Sequence, residues 1–248
     1  MLAVFALPGL SQSVTKPLTI SVGSPVDVLV TRADGKRFGF DAVHKKDYKE
    51  INGAAVTVSP GREPVYRVPV DVSPKPLTIN IFGRAGSNEA NLAITAPNSV
   101  ISIRRMPVTA GAIATVRVSP NGNSLDYSST TATISPKFVF AIDPKNAKQP
   151  SYIFEITRES LEVGKTIKIT HPSDATFGFG DDSTSLATYA VKVTRIKADG
   201  TEDKYAVDKL TAKRTNHFEL DLTKWNGKTG ACLRSNDGPG LRRGKCRS

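Results

Sequence analysis

Hydrophobic and polar residues alternate over short stretches along much of this 248-residue chain. From Val26 to Val30, valine occupies every second position, and from Tyr189 to Val193 the larger apolar residues do the same. A period of two residues is typical of a β-strand that buries one face, whereas an amphipathic helix repeats about every 3.6 residues. No stretch sustains the helical period, so the pattern predicts an all-β protein.

Turn-forming residues separate these alternating stretches at short intervals. Many short strands joined in this way predict antiparallel β-sandwiches of the immunoglobulin-like type. The expected strands are Pro17–Val22, Val26–Thr31, Arg37–Phe40, Ala54–Val58, Val65–Val70, Pro76–Phe82, Asn91–Thr95, Val100–Ile103, Ile113–Val118, Thr131–Ile134, Lys137–Ile142, Tyr152–Ile156, Thr166–Thr170, Ala187–Ile196, Asp203–Val207 and Phe218–Leu222.

Two Asp-Gly pairs mark hairpin turns. Asp34-Gly35 follows the valine-rich strand, and Asp199-Gly200 follows the long strand that contains Tyr189. Glycine adopts the positive φ that tight hairpin turns require. The first turn therefore sets the register of the next strand, in which Phe38 and Phe40 are expected to face the core.

Part of the chain resembles a module found in bacterial secreted and surface proteins. In that family a segment of the type S-P-V-D-L-L-V-T-D-P-x-G-R-R-x-G-F-D precedes an N-E-I-P-G-A element, a G-P-G-x-E-P turn and a final strand pair ending in G-x-G. The similar stretches here are Ser24–Asp41, Glu50–Ala54, Ser59–Pro64 and Ile79–Gly83. The likeness covers roughly residues 14–97, about a third of the chain.

The resemblance implies a small β-sandwich appended to extracellular proteins, without catalytic residues of its own. The chain departs from the family pattern at Arg32-Ala33, where the family has Asp-Pro, and at the insertion His44–Lys49, where it has a Pro/Thr/Gly turn. A ligand or ion preference that depends on those loops is therefore not carried over.

Four regions are predicted along the chain. Residues 1–13 form a short apolar stretch that ends in small residues, and we interpret it as a signal-peptide remnant, the alternative being an ordinary first strand with a disordered lead. It is too short to be a membrane span, which needs about 20 apolar residues. Residues 14–97 form a first sandwich module and residues 98–225 a second. Residues 226–248 are glycine-rich and basic, which predicts a disordered tail.

Charge and cysteine content narrow the expected partners. The chain has 34 Lys and Arg against 23 Asp and Glu, a formal net charge of +11. No basic stripe is interleaved with aromatic residues, so no nucleic-acid partner is expected. The expected partner is instead a surface polymer or a protein, which is either anionic or a glycan. Cys232 and Cys246 can pair in an exported protein, but the sequence leaves their pairing open, as it does the oligomeric state.

Local motifs of catalysis are missing from the sequence. It contains no G-x-S-x-G, no H-E-x-x-H, no phosphate-binding loop and no dinucleotide fingerprint. His44, His171 and His217 each lie beside a turn or strand end and are predicted to be surface histidines. No catalytic, cofactor-binding or metal-binding residue is therefore predicted.

One local cluster has two interpretations. Asp181 and Asp182 follow Phe177 and Phe179 in a predicted glycine-bearing loop, and their carboxylates offer oxygen ligands for calcium. The alternating D-x-D-x-D spacing of a dedicated calcium loop is missing, so a solvated Asp-rich turn is the alternative. The two phenylalanines line a small glycan or partner site, or else they are buried in the core.

Three classes of function remain open, in a definite order. The first is a non-catalytic structural or adhesive module of an exported bacterial protein, secreted or held at the cell surface. The second is a carbohydrate-binding sandwich, which the 7% aromatic content and the single Trp225 make less favoured. The third is a hydrolase whose carboxylates meet only in the fold.

Overall fold

A computed structural model describes residues 17–23, 25–58, 63–70, 75–131, 135–143, 146–212 and 217–236. These residues form nineteen β-strands and no helix, so the predicted all-β fold is confirmed. The described part of the chain accordingly has no apolar helix of membrane-spanning length. The strands are β1 (Leu18–Gly23), β2 (Val26–Thr31), β3 (Arg37–Asp41), β4 (Lys46–Lys49), β5 (Ala55–Thr57), β6 (Val65–Val68), β7 (Leu77–Gly83), β8 (Glu89–Thr95), β9 (Ser99–Pro107), β10 (Ile113–Val118), β11 (Ser124–Ser129), β12 (Lys137–Ile142), β13 (Ser151–Arg158), β14 (Thr166–Ser173), β15 (Thr176–Asp181), β16 (Ala187–Ile196), β17 (Glu202–Ala212), β18 (His217–Asp221) and β19 (Cys232–Asn236).

The strands assemble into two large antiparallel sheets. One has nine strands in the order β17-β16-β13-β12-β9-β8-β1-β6-β5, and the other has ten in the order β19-β18-β15-β14-β11-β10-β7-β2-β3-β4. Strands β5 and β4 therefore form the edges at one end of the two sheets. Strands β17 and β19 form the edges at the other end.

The core lies between the two sheets and follows from the alternating pattern. In β12, Phe138, Phe140 and Ile142 are buried while the residues between them are half-buried. Rings from the two sheets meet in this layer: Phe154 of β13 stacks on Phe177 of β15, with ring centroids 4.3 Å apart and planes inclined by 5°. Such contacts are typical of a sandwich in which the inward faces of both sheets interdigitate.

The two halves of the chain share both sheets. Each half supplies one contiguous block of strands to each sheet, and the blocks join where β8 pairs with β9 and β7 pairs with β10. The predicted boundary at Ala96-Pro97-Asn98 is the turn between β8 and β9, closed by a 2.9 Å hydrogen bond from the Ala96 N–H to the Ser99 carbonyl. One buried hydrophobic cluster spans both halves, so the core shows no separation at this turn. The division into two modules therefore stays a prediction.

Both predicted hairpins are present. Gly35 and Gly200 adopt φ values of 84° and 82°, and each donates its N–H to the carbonyl three residues earlier. The first turn brings Val30 opposite Phe38, which is buried with 7% of its surface exposed. Phe40 points to the same face but is only half-buried, because β3 lies next to the open edge of its sheet.

Four strands were not predicted: β4, β11, β15 and β19. In β11 only Leu125 and Tyr127 are apolar, and the serines around them resemble a loop in composition. Leu125 and Tyr127 are nevertheless buried, because β11 pairs with β10 on one side and with β14 on the other. The strand expected at Thr131–Ile134 has Thr131 in a bend instead, and residues 132–134 lie outside the described ranges.

The predicted disorder of residues 226–248 is wrong for residues 226–236. Strand β19 pairs with β18 along five rungs, and Leu233 lies opposite Leu220, with both side chains buried. Cys232 is disulfide-bonded and buried as well. Backbone pairing with β18 and the burial of Cys232 and Leu233 thus attach this segment to the sheet edge. Residues 237–248 and the predicted signal peptide lie outside the described residues.

Candidate functional site

The three histidines lie in different surroundings. His44 is exposed, and its Nδ1 is 2.8 Å from the Asp41 carboxylate. His217 is also exposed, at the start of β18. The prediction of a surface position is wrong for His171, which is only 3% exposed and has its Nε2 at 2.9 Å from the Gly122 carbonyl oxygen. His171 therefore joins β14 to the turn between β10 and β11.

The segment predicted to be a loop at Phe177–Asp181 is part of strand β15. Phe177 and Phe179 are 0% and 1% exposed, so they belong to the core and do not form a glycan or partner surface. Gly178 and Gly180 alternate with them and point to the opposite face of the sheet. The period of two was visible in the sequence, but glycine at alternate positions made the segment resemble a loop.

Asp181 is the centre of a buried polar network. Its Oδ2 accepts a 2.8 Å hydrogen bond from Arg158 Nε and another from the Tyr189 hydroxyl, and its Oδ1 accepts a 2.7 Å bond from the Ser183 N–H. Burial by itself raises the pKa of Asp181, but the bonds from Tyr189 and Ser183 and the charge of Arg158 outweigh it and lower the pKa. The network links the two sheets inside the sandwich.

The neighbouring Asp182 has a different environment. It is exposed, and its Oδ1 accepts a 2.6 Å hydrogen bond from the Thr166 N–H on β14. Both aspartates of the calcium hypothesis thus bind protein groups. Across the part of the chain that the structure describes, no group of three or more His, Cys, Asp or Glu residues is arranged to hold a metal ion.

A cleft opens between the edge strands β4 and β5, and we name it the edge cleft. Its volume is about 370 Å³, and its floor is formed by side chains from both sheets. Phe38 and Phe40 of β3 line one side and Val56 of β5 and Tyr66 of β6 the other. The Phe38 and Tyr66 rings meet edge to face, with centroids 6.4 Å apart and planes inclined by 82°.

The local sequence explains why aromatic rings reach this cleft. Phe38 and Phe40 are two residues apart and so share a face of β3, while Gly39 between them has φ 110°. A Cβ atom at Gly39 would clash with the Val28 carbonyl oxygen on β2, so glycine permits the close approach of the two strands. On the other wall, Val56 lies opposite Tyr66 in the β5–β6 pairing and therefore points to the same face.

Charged groups line the rim of the edge cleft. Arg84 pairs with Asp27, whose carboxylate side chain is 10% exposed. Burial and the charge of Asp27 raise the pKa of Tyr66, with Arg84 opposing. Asp47 and Lys49 of β4 lie on the other side of the opening. The lining thus combines apolar side chains with charged groups of both signs.

Strand β4 is anchored to its sheet from the outer face. Tyr48 packs in a small second cluster with Leu29 and Phe82, and the Arg37 guanidinium lies 3.6 Å from the centre of the Tyr48 ring. Arg37 also pairs with Glu50 at 3.3 Å. The insertion at His44–Lys49, where the chain departs from the resemblance, therefore builds one wall of the cleft. Sequence reasoning missed this wall, although Tyr48 between charged residues was a signal for a strand with one apolar face.

Comparison with known proteins gives no assignment: no protein-family model, curated protein or solved structure matches the chain.

Proposed function

We propose that this chain is a non-catalytic structural or adhesive module of an exported bacterial protein. The observation that carries the proposal is the continuous core, in which one hydrophobic cluster joins both halves of the chain within two long sheets. A two-layer body of this kind is suited to a structural or spacer role. The resemblance of residues 14–97 to a module of bacterial secreted and surface proteins supports the same class.

Two acid and base groups of the fold, His171 and Asp181, have structural positions. His171 and Asp181 are 3% and 5% exposed, and their hydrogen bonds connect strands of the sandwich. A general acid or base must reach a substrate proton within hydrogen-bond distance. His171 and Asp181 are sealed in the core and do not meet that condition, so neither of them supports a hydrolase.

The carbohydrate-binding alternative receives less support than the adhesive one. Sugar rings stack on exposed, flat aromatic faces, whereas Phe38 and Tyr66 meet edge to face and Phe38 is 7% exposed. Trp225 is 4% exposed and lies against Arg195, whose guanidinium is 4.8 Å from the ring centre. Neither site offers a coplanar platform.

Export and attachment are testable together. Expressed with its native upstream sequence, the protein should leave the cytoplasm with a new N-terminus at or close to Val14, and the purified chain should co-sediment with isolated bacterial cell envelopes. Because the chain carries a net charge of +11, envelope binding should weaken as salt rises. Retention of unprocessed chain in the cytosol, or hydrolysis of an envelope polymer, would count against the proposal.

A further inference from the structure

Strand β19 is the last strand of the ten-stranded sheet and is attached on one side only. It pairs with β18 over five rungs and has no neighbour among the described residues on its other side. Leu233 is the one described side chain of β19 that is buried opposite an apolar residue, Leu220. A short strand held by one row of backbone hydrogen bonds and one apolar contact is among the elements that open most readily in a native protein.

The first residue of β19, Cys232, combines an outward position with burial. Leu233 faces the core, so Cys232 and Arg234 on either side of it point to the outer face of the sheet. Arg234 is half-buried, whereas Cys232 is only 8% exposed and lies opposite Asp221. Cys232 is disulfide-bonded. The bonded residue is therefore packed against the sheet and does not project into solvent.

The cysteine content of the chain identifies the partner of Cys232. The sequence contains two cysteines, and the other one is Cys246. Within one chain, the bond therefore joins the start of β19 to a position beyond its end. A bond that closes such a loop restricts the conformations of the segment once it leaves the sheet. The detached state of β19 is accordingly less populated while the bond is intact.

We propose that the Cys232–Cys246 disulfide is a redox-sensitive switch, which holds β19 on the sheet edge when it is oxidised and lets β19 detach from β18 when it is reduced. A dithiol reductant breaks the S–S bond by thiol–disulfide exchange. It transfers two electrons and two protons, leaves two cysteine thiols and is itself oxidised to a disulfide.

The switch goes beyond the adhesive function proposed above and takes only its setting from export. Thiols stay reduced in the cytoplasm, whereas disulfides form and persist outside it. The bond would thus form after export and fix β19 in the mature protein. Purified protein is sufficient for the test, so a failure of export and a failure of the switch are distinguishable.

The first measurement establishes the pairing. Peptide mapping of the purified full chain without reductant should give one linked fragment that contains both Cys232 and Cys246. Reduction with dithiothreitol should raise the intact mass by two hydrogens. A non-reducing gel should show a monomer, because the bond lies within one chain.

The second measurement follows the attachment of β19 by hydrogen exchange. In the reduced protein, the amides of Leu233–Asn236 should exchange about tenfold faster than in the oxidised protein, because β19 opens more often. The amides of β12, inside the other sheet, should stay within about twofold.

Two variants at adjacent positions separate the bond from other effects of the C-terminal segment. Cys246→Ser removes the bond and leaves all of β19 unchanged, so β19 should exchange as in the reduced parent, and dithiothreitol should have no further effect. Lys245→Ser is the control, because it introduces the same side chain one position earlier and keeps both cysteines. Its β19 amides should exchange within about twofold of the oxidised parent.

Four results would overturn the inference. The first is a disulfide-linked dimer as the main species, which would assign the bond to two copies of the chain. The second is a β19 exchange rate that neither reduction nor Cys246→Ser changes. The third is equal acceleration by Lys245→Ser. The fourth is equal acceleration of β19 and β12, which would show that the bond stabilises the whole fold and does not control one strand.

Discussion

Arg158 on β13 and Asp181 on β15 form an ion pair between the two sheets, with 2.8 Å between Nε and Oδ2 and side chains that are 2% and 5% exposed. Ser183 accepts a 3.0 Å hydrogen bond from the Arg158 Nη2, so both partners have further hydrogen bonds. A buried ion pair contributes little net stability when it is intact, but removing one partner leaves the other charge buried and uncompensated. Breaking this pair is therefore expected to cost more than the intact pair contributes.

Asp181→Asn should destabilise the protein strongly, because Arg158 loses its counter-charge inside the core. We expect the free energy of unfolding to fall by roughly 3–5 kcal/mol, measured by urea denaturation. Asp182→Asn is the matched control at the next position, where the side chain is exposed, and should cost less than about 1 kcal/mol. Similar losses from the two variants would contradict this interpretation of the network.

The free energy of unfolding should decrease as the pH is lowered through the range in which His171 becomes protonated. Burial lowers the pKa of His171, and the hydrogen bond to the Gly122 carbonyl and the charge of Asp174 offset this only in part. The unfolded chain, with a histidine pKa of about 6.5, thus binds the proton more readily than the folded protein. The stabilisation that depends on the neutral His171 ring is fully present above the unfolded-state pKa of about 6.5. It is lost as the pH falls through this value towards the folded-state pKa.

The experiment compares the free energy of unfolding at pH 7.5 and pH 5.5, above the range in which most carboxylates titrate. His171→Gln should flatten the difference, while His217→Gln, at an exposed position, should leave it unchanged. An unaltered pH dependence in His171→Gln would show that another group is responsible.

Gly35→Val tests the first hairpin. Gly35 has φ 84°, and a Cβ atom there would meet nothing within 4 Å, so any cost comes from the backbone conformation and not from a clash. A β-branched residue is strained at this φ, and we expect a loss of about 1–3 kcal/mol in thermal or urea unfolding. Gly35→Asn is the control, because asparagine tolerates the left-handed region, and it should cost distinctly less. Equal melting temperatures for Gly35→Val and the parent would refute the assigned role.

Alternation and turn chemistry were sufficient to predict the fold class and most strands. Val26, Val28 and Val30 are all buried, and the Asp-Gly turns have the predicted positive φ, because these features depend on neighbouring residues alone. Strand β15 was missed, since glycines occupy its outer positions and its strand character depends on pairing with β14 and β18. Local patterns do not reveal a strand that is fixed by its neighbours.

The candidate site was harder to predict from the sequence than the fold, because it also depends on residues that are distant along the chain. Phe38 and Tyr66 are 28 positions apart in number and lie in different sheets, so nothing local brings them together. Asp181 was noticed as an acidic residue, but its partner Arg158 precedes it by 23 residues. The sequence alone does not show that β13 pairs with β16 or that β14 pairs with β15. A solvated turn was therefore the simpler interpretation of the surroundings of Asp181.

The whole described chain should unfold as one cooperative unit. Separating the halves near Pro97 would break the β8–β9 pairing in one sheet and the β7–β10 pairing in the other, and each half would then expose two unprotected edges. The hydrophobic cluster that joins them contains Ile94 and Ile101 on opposite sides of the turn, both fully buried. Differential scanning calorimetry should therefore give one transition whose calorimetric and van't Hoff enthalpies agree. Gly35→Val in the first half and Asp181→Asn in the second should lower the same transition, because a shared core transmits the loss to both. Two transitions, each moved by only one of these variants, would instead establish two independent modules and place the boundary where the sequence predicts it.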